Sequence, residues 1–163
     1  MDINSLKQKI ILKSTTCGIS SQEVANAKLL VENKLKNSNK FVCEGLWAVD
    51  KLIEKHIKVD EFFFNMDKIN TGKIDEKSLE KIAKMIDYSS KSYAISEKAC
   101  KKISDRDGYD EYFIVAEQET FTLSDLEKQF AGKDNLLAIV MDGLEQPGNI
   151  GAILRSFDCA GGD

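Results

Sequence analysis

The sequence predicts an α/β protein, with a small sandwich of alternating strands and helices over residues 20–118 and a separate strand, loop and helix over residues 136–163. Three observations predict this fold class. Along residues 20–118, apolar residues alternate between strand-like runs and helical spacing, with short polar connections. Residues 136–141 form an almost purely apolar run, which is typical of a strand buried on both faces of a parallel sheet. Five of the ten glycines and the only proline then fall within residues 143–162, which indicates a loop of special geometry.

The elements of the first domain follow in order along the chain. Ser20 and Glu23 have the S-x-x-E spacing of a capping box, and apolar residues follow at helical intervals, so a helix is predicted over residues 22–36. The remaining elements of this domain are predicted as strands at 41–44, 59–65, 93–95 and 112–117 and helices at 46–55, 75–87 and 96–103, and a further helix is predicted at 122–130, beyond this domain. Residues 1–19 show little periodicity and are expected to be a flexible arm. Residues 119–135 are expected to be a linker.

Composition excludes several classes of protein. The longest apolar runs are far shorter than the roughly 20 residues of a membrane span, and the N-terminus lacks the pattern of a secretion signal, so a cytoplasmic protein without membrane contact is expected. The four cysteines lie far apart and the chain has one histidine, His56, which argues against a zinc site or a disulfide framework. No metal is therefore expected.

The formal net charge of −4 conceals an uneven distribution. Residues 1–58 contain ten lysines and six acidic residues, a net charge of +4, whereas residues 59–163 have a net charge of −8. The first third is thus the better candidate to bind a polyanion, and a solvated lysine-rich surface is an equally good explanation of the charge alone.

The predicted strand at 136–141 leads through a glycine-rich loop into a helix that Gly161 should end. Such a junction directs backbone N–H groups and the positive end of the helix dipole at a ligand, commonly a phosphate, although a tight loop needs glycine in any case. Helical side chains lean toward the N-terminus, so Arg155 should lie over Gly151 and could share a phosphate-sized site with Asn149. The alternatives are an ion pair between Arg155 and Asp158 and an N-cap role for Asn149.

The segment from Val140 to Asp163 resembles the first signature motif of the SpoU family of RNA 2′-O-ribose methyltransferases, which have the knotted SPOUT fold. The resemblance rests on the pattern P-x-N-x-G-x-x-x-R, whose fixed positions are Pro147, Asn149, Gly151 and Arg155. Upstream, Phe41-Val42-Cys43-Glu44-Gly45 follows a lysine-bearing helix and resembles the F-x-x-E-G of the small RNA-binding domain, of ribosomal-protein type, that often precedes the SpoU catalytic domain.

This resemblance implies an enzyme that transfers a methyl group from S-adenosylmethionine to a ribose 2′-hydroxyl of ribosomal or transfer RNA, and that acts as a homodimer. Arg155 and Asn149 match catalytic positions of the motif, and the loop residues are Pro147, Gly148 and Gly151. Because a guanidinium stays protonated, Arg155 is expected to stabilise the developing alkoxide and the neighbouring phosphate. The expected RNA-binding residues are Lys28, Lys34, Lys36, Lys40, Glu44 and Gly45, and the more plausible role of Glu44 among them is structural support of the turn.

The second and third SpoU motifs, which form the cofactor loops and the knot, are expected to lie beyond Asp163. The chain is therefore expected to be an RNA-recognition domain plus the opening of a catalytic domain, able to bind RNA but inactive by itself. The strand at 136–141 would need a partner, and pairing with the first domain or with a second copy is expected; the alternative is a segment that is mobile beyond the linker. The competing hypothesis is a stand-alone RNA-binding module of ribosomal-protein type. A domain that binds a small phosphorylated metabolite is a third alternative.

Overall fold

The computed structural model describes residues 3–32, 34–35, 38–104, 108–144 and 146–162. The chain divides into two compact units, Met1–Glu119 and Thr120–Asp163.

The first unit contains a five-stranded sheet and helices on both of its faces. Its elements are α1 (Ile3–Leu12), β1 (Thr15–Thr16), α2 (Gln22–Val31), β2 (Lys40–Glu44), α3 (Ala48–Glu54), β3 (Val59–Asn65), α4 (Met66–Asn70), α5 (Glu76–Tyr88), β4 (Lys91–Ile95), α6 (Glu97–Ile103) and β5 (Tyr112–Glu117). The strand order is β1-β4-β3-β5-β2. Strands β1, β4 and β3 are parallel to one another, and β5 is antiparallel to both β3 and β2.

Three consecutive phenylalanines in β3 supply the centre of both hydrophobic cores, because successive residues of a strand point to opposite faces of the sheet. Phe62 and Phe64 belong to the core that packs against α1, α3 and α5. Phe63 belongs to the other core, which packs against α2 and α6 and includes a stack of Phe63 on Tyr93 with ring centroids 5.0 Å apart. All three phenylalanines are fully buried. The predicted α/β sandwich is therefore confirmed as a helix–sheet–helix arrangement.

The expected flexible arm at residues 1–19 is wrong for residues 3–17. Helix α1 buries Leu6 and Ile10 in the first core, and Lys9 in its last turn and Lys13 just after it form ion pairs with Asp87 of α5. Strand β1 then pairs with β4. The sequence did not predict helix α1 because only two of its positions are buried, which is too few to produce a clear helical period.

Two further elements of the first unit differ from the prediction. Helix α2 begins after Ser21, whose hydroxyl accepts a hydrogen bond from the Val24 N–H at 3.3 Å, so Ser21 rather than Ser20 is the N-cap. The helix ends at Val31, before the predicted residue 36. The short helix α4 was not predicted; it is capped by the Asn65 side chain at the end of β3.

The second unit contains two helices among its described residues, α7 (Leu123–Phe130) and α8 (Pro147–Cys159). Thr122 and Asp125 form a reciprocal capping box at the start of α7, as its predicted start at residue 122 requires. No residue of α7 is buried.

The predicted strand at residues 136–141 is wrong. These residues belong to no strand, and the exposed fractions of their large side chains run from 38% at Met141 to 92% at Val140. A β-strand exists only where a neighbour completes its hydrogen bonds, and all five strands of the described sheet lie in the first unit. An apolar run that joins no sheet has no reason to adopt strand geometry.

Candidate functional site

The predicted helix of the SpoU-like motif is present in the second unit, but the prediction of Pro147, Gly148 and Gly151 as loop residues is wrong, because all three lie within this helix. Helix α8 begins after Gln146, with Pro147 at its first position, where the absent N–H costs nothing. The backbone N–H groups of Asn149 and Ile150 donate to the Gln146 carbonyl at 3.0 and 3.2 Å. The motif therefore occupies the first three turns of a regular helix.

Arg155 lies over Gly151, as the helical spacing predicts. A Cβ atom at position 151 would stand 3.3 Å from Nη1 of Arg155, so the glycine leaves the space that the guanidinium uses. Arg155 is exposed and forms no ion pair with any residue that the structure describes, Asp158 included. The alternative of an Arg155–Asp158 ion pair is thus wrong, and the guanidinium is accessible to a ligand.

Asn149 is exposed in the first turn of α8 and is not the N-cap, a position held by Gln146. The helix itself does not place Asn149 and Arg155 on one face, because six residues correspond to a rotation of about 600°, or about 120° between the two side chains. A ligand shared by both residues would have to reach around the N-terminal end of the helix. A shared phosphate-sized site remains a prediction.

The helix ends in a Schellman motif at Gly161, as predicted. Gly161 has φ +77, and the N–H groups of Gly161 and Gly162 donate to the carbonyls of Asp158 and Phe157, both at 3.0 Å. A Cβ atom at position 162 would overlap the Phe157 ring. Gly161 is therefore favoured by the backbone conformation, and Gly162 by the close approach of the Phe157 ring.

The turn at Gly45 requires glycine for two independent reasons. Its φ is +95, and a Cβ atom there would stand 2.9 Å from Oδ2 of Asp110 and 3.0 Å from Cδ1 of Trp47. Gly45 is buried, and its N–H donates to the Tyr112 carbonyl at 2.8 Å. The F-x-x-E-G sequence thus forms a tight turn from β2 into α3.

Glu44 supports this turn. Its Oε2 accepts a hydrogen bond from the Ser104 hydroxyl at 3.0 Å, and its backbone carbonyl accepts one from Nε1 of Trp47 at 2.7 Å. The side chain is half-buried. These contacts favour the structural role of Glu44, which is the more plausible of its two predicted roles.

The described lysines of the expected RNA-binding set each contact an acidic residue. Lys28 and Lys34 lie 3.4 and 2.7 Å from the two carboxylate oxygens of Glu32, and these partners, Lys34 foremost, hold the pKa of Glu32 below its usual range. Lys40 lies 2.6 Å from Asp60. Lys36 is outside the described residues. The structure thus brings Lys28 and Lys34 together, but their shared carboxylate reduces the positive charge available to a polyanion.

Sequence reasoning missed a polar network at the carboxyl ends of the parallel strands. Asn65 is 1% exposed at the end of β3 and donates through its N–H and its side-chain amide to the carbonyl and carboxylate of Glu111, at 3.0 and 3.4 Å. Lys68 lies 2.5 Å from the same carboxylate. Ligands of open α/β sheets commonly bind at this edge. The sequence signal for this network was an asparagine directly after three phenylalanines, because a polar residue at the end of a buried strand needs hydrogen-bond partners there.

Two other kinds of site are absent from the described part of the chain. Within the described ranges there is no group of three histidine, cysteine, aspartate or glutamate side chains that could hold a metal ion. None of the described helices is both long and apolar enough to cross a bilayer.

Neither a protein-family model nor a curated protein sequence matches the chain. Several solved structures do match it. A crystal structure of an RNA 2′-O ribose methyltransferase is 23% identical, with a TM-score of 0.64 over 91% of this chain and 53% of that protein. An rRNA methyltransferase from Sinorhizobium meliloti is 18% identical, with a TM-score of 0.65 over 92% of this chain and 53% of that protein.

The SpoU methyltransferase AviRb from Streptomyces viridochromogenes, in complex with the cofactor AdoMet, is 16% identical, with a TM-score of 0.67 over 87% of this chain and 51% of that protein. The chain thus has the fold found in SpoU-type RNA methyltransferases, which confirms the predicted resemblance at the level of the fold. It spans about half the length of the proteins that it matches.

Proposed function

We propose that these residues recognise RNA and begin the catalytic domain of an RNA 2′-O-ribose methyltransferase of the SpoU family that uses S-adenosylmethionine. The observation that carries the proposal is Arg155, exposed and lying over Gly151 within a P-x-N-x-G-x-x-x-R motif, in a chain with the fold of SpoU-type methyltransferases. The first unit is the RNA-recognition domain, of ribosomal-protein type. The substrate of the complete enzyme is ribosomal or transfer RNA, and that enzyme is a cytoplasmic homodimer that needs no metal.

Arg155 acts on the ribose rather than on the methyl donor. Its guanidinium is permanently protonated and presents five N–H donors, so it stabilises negative charge as the 2′-oxygen loses its proton and holds the adjacent phosphate. Asn149 assists from the first turn of the same helix. Pro147 begins α8, and Gly148 and Gly151 in its first turns allow the close approach to the helix N-terminus that a nucleotide needs.

Residues 136–149 do not by themselves form a site for S-adenosylmethionine. Every residue between 136 and 149 whose side chain is described is exposed, so this segment encloses no space for a nucleoside. The 163-residue chain alone should therefore bind RNA but neither bind the cofactor tightly nor transfer a methyl group.

The test is a pair of titrations with the whole chain. Fluorescence anisotropy with labelled transfer RNA and a ribosomal RNA fragment should show binding that weakens steeply with salt, because phosphate contacts release counterions. Calorimetry should detect no S-adenosylmethionine binding. Undetectable RNA binding at low salt would contradict RNA recognition, and micromolar cofactor binding would contradict the inactivity of the isolated chain.

The placement of the RNA-binding lysines is tested separately. Replacing Lys28 and Lys34 by glutamate should weaken RNA binding and flatten its salt dependence, whereas glutamate at Lys84, which pairs with Asp50 on α3, is a matched charge reversal outside the expected set. Equal effects of both changes would indicate a general electrostatic attraction without a specific surface.

A stand-alone RNA-binding module is the second candidate, and one observation favours it. The first unit has hydrophobic cores on both faces of its sheet, while α7 of the second unit buries none of its residues. Under this hypothesis, Arg155→Ala leaves RNA affinity unchanged. Under the methyltransferase hypothesis, the same change removes a contact to the sugar–phosphate backbone and weakens binding severalfold.

A further inference from the structure

Trp47 is the only tryptophan of the chain and is 69% exposed at the start of α3. The other large hydrophobic side chains exposed among the described residues of the first unit are all aliphatic. Tryptophan is usually well buried on average, because its ring removes so much apolar surface from water. An exposed indole in an otherwise well-packed unit therefore suggests contact with a ligand.

The indole is held in one orientation. Its Nε1 donates to the Glu44 carbonyl at 2.7 Å, and its Cδ1 lies so close to Gly45 that a Cβ atom there would stand only 3.0 Å away. The only polar atom of the ring is thus satisfied by the protein, and what remains exposed is apolar. A ring fixed in advance loses little conformational freedom on binding.

The indole also lines a shallow groove of about 290 Å³. The apolar part of the lining comes from Cys43, Ala48, Leu52 and Ile57, and the charged part from Lys51, Lys55 and Glu119. Burial raises the pKa of the Cys43 thiol, so the thiol is neutral and adds no charge. Lys51 lies 3.3 Å from Glu54, whereas Lys55 forms no ion pair with the residues that the structure describes. The groove therefore combines an aromatic ring and apolar walls with two lysines at its margin.

We propose that Trp47 stacks on one unpaired base of the RNA, which enters this groove while Lys51 and Lys55 contact the flanking phosphates. The inference rests on the proposed function and names the structural feature that is recognised, an unstacked nucleotide. Every base has a π-face that an exposed aromatic ring can cover, and lysines beside the ring meet the backbone on which that base is carried. The site therefore selects an unpaired nucleotide with little preference among the four bases.

The single tryptophan allows the contact to be observed directly. The probes are a labelled RNA hairpin with a seven-nucleotide loop and the same stem closed by an abasic loop of equal length. The first hairpin should quench Trp47 fluorescence and the second should not, because both present phosphates but only one presents bases.

Three variants then measure what the contact contributes to affinity. Trp47→Leu should weaken binding of the first hairpin about tenfold, the lower part of the range for loss of one stacked base, and leave the salt dependence unchanged. Trp47→Phe should retain most of the affinity, since it keeps an aromatic face. Leu12→Ala, on a side chain that is 83% exposed in α1, is the matched control and should have no effect.

The outcomes separate this inference from the proposed function. Failure of the original chain to bind either hairpin at low salt would overturn both. Normal RNA binding that Trp47→Leu leaves unchanged would overturn the stacking site alone. If Trp47→Leu reduced self-association in light scattering but not RNA affinity, the face would be a protein contact, which also overturns the inference.

Discussion

The two units follow the same local rules of helix formation but bury their apolar residues very differently. Helix α5 places Leu79, Ile82 and Met85 in the core of the first unit, where each is almost inaccessible to solvent. Helix α7 has an equally clear apolar stripe, yet Leu123 is 80% and Leu126 is 37% exposed. Caps and spacing are therefore sufficient to place a helix, whereas burial depends on a facing surface supplied by other residues.

The largest effect should come from the centre of the first unit. Phe63→Ala removes a fully buried ring stacked on Tyr93 and should lower the free energy of unfolding by about 3–5 kcal/mol. Leu123→Ala on α7 is the control and should change it by less than about 0.5 kcal/mol, because that side chain is 80% exposed. Urea unfolding followed by circular dichroism measures both, and similar losses for the two variants would contradict the comparison.

The next largest loss of stability is expected at glycines with positive φ. Gly45→Ala should lower the free energy of unfolding by about 2 kcal/mol or more, since it adds a steric clash with Asp110 and Trp47 to the conformational penalty. Gly72→Ala, with φ +69 and nothing within 4 Å, should cost only the conformational part, about 1 kcal/mol. Gly143→Ala, equally open in the second unit, should leave global unfolding unchanged. A Gly45 variant as stable as the Gly72 variant would show that the close approach is unimportant.

A smaller effect is expected at the helix caps. Ser96→Ala removes the cap of α6, whose hydroxyl accepts from the Ala99 N–H, and should lower the free energy of unfolding by about 1 kcal/mol. Thr122→Ala breaks the capping box of α7 and should instead increase amide hydrogen exchange within that helix, without changing the unfolding midpoint. A shift of the midpoint by Thr122→Ala would mean that α7 unfolds together with the first unit.

The smallest effect is the pH dependence of the link between α1 and α5. Lys13 and then Lys9 hold the pKa of Asp87 below its ordinary value near 3.9. Its contribution to stability is therefore fully present above about pH 4 and is lost as the pH falls through the lower pKa of the folded state. Asp87→Asn should flatten this part of the acid-unfolding profile. An unchanged profile would mean that the exposed ion pairs contribute nothing measurable.

The sequence predicted those elements of the fold whose periodicity and capping residues lie within the element itself. Strand β3 and helix α5 came out within a residue of their predicted bounds, because periodicity and capping residues are written within the element itself. Helix α1 was missed because its two buried positions acquire meaning only from the helix packed against it. The strand prediction at residues 136–141 was wrong for a related reason. An apolar run indicates that its residues favour burial, but the neighbouring strand must come from elsewhere in the fold.

The candidate site divides in the same way. The position of Arg155 over Gly151 was predictable, since it follows from the geometry of one helix turn. The pairing of Lys40 with Asp60 was not predictable, because those residues meet only through the fold. The groove beside Trp47 was not predictable either, because its lining comes from β2, α3 and the end of the first unit, and no spacing along the chain indicates that these residues meet.

The run of three phenylalanines in β3 raises a problem of alignment. Sliding β3 by one residue normally exchanges its apolar and polar faces, but here phenylalanine would still occupy two of the three phenylalanine positions, with Glu61 or Asn65 at the third. These side chains therefore discriminate the register less strongly than a strict alternation would. The polar ends of the strand must make the choice. Asn65 locks one end to Glu111, and an irregularity between Val59 and Glu61 offsets the pairing with β5 at the other. The phenylalanines thus supply the hydrophobic driving force for sheet assembly. The Asn65 amide and the irregularity between Val59 and Glu61 select a single register for β3.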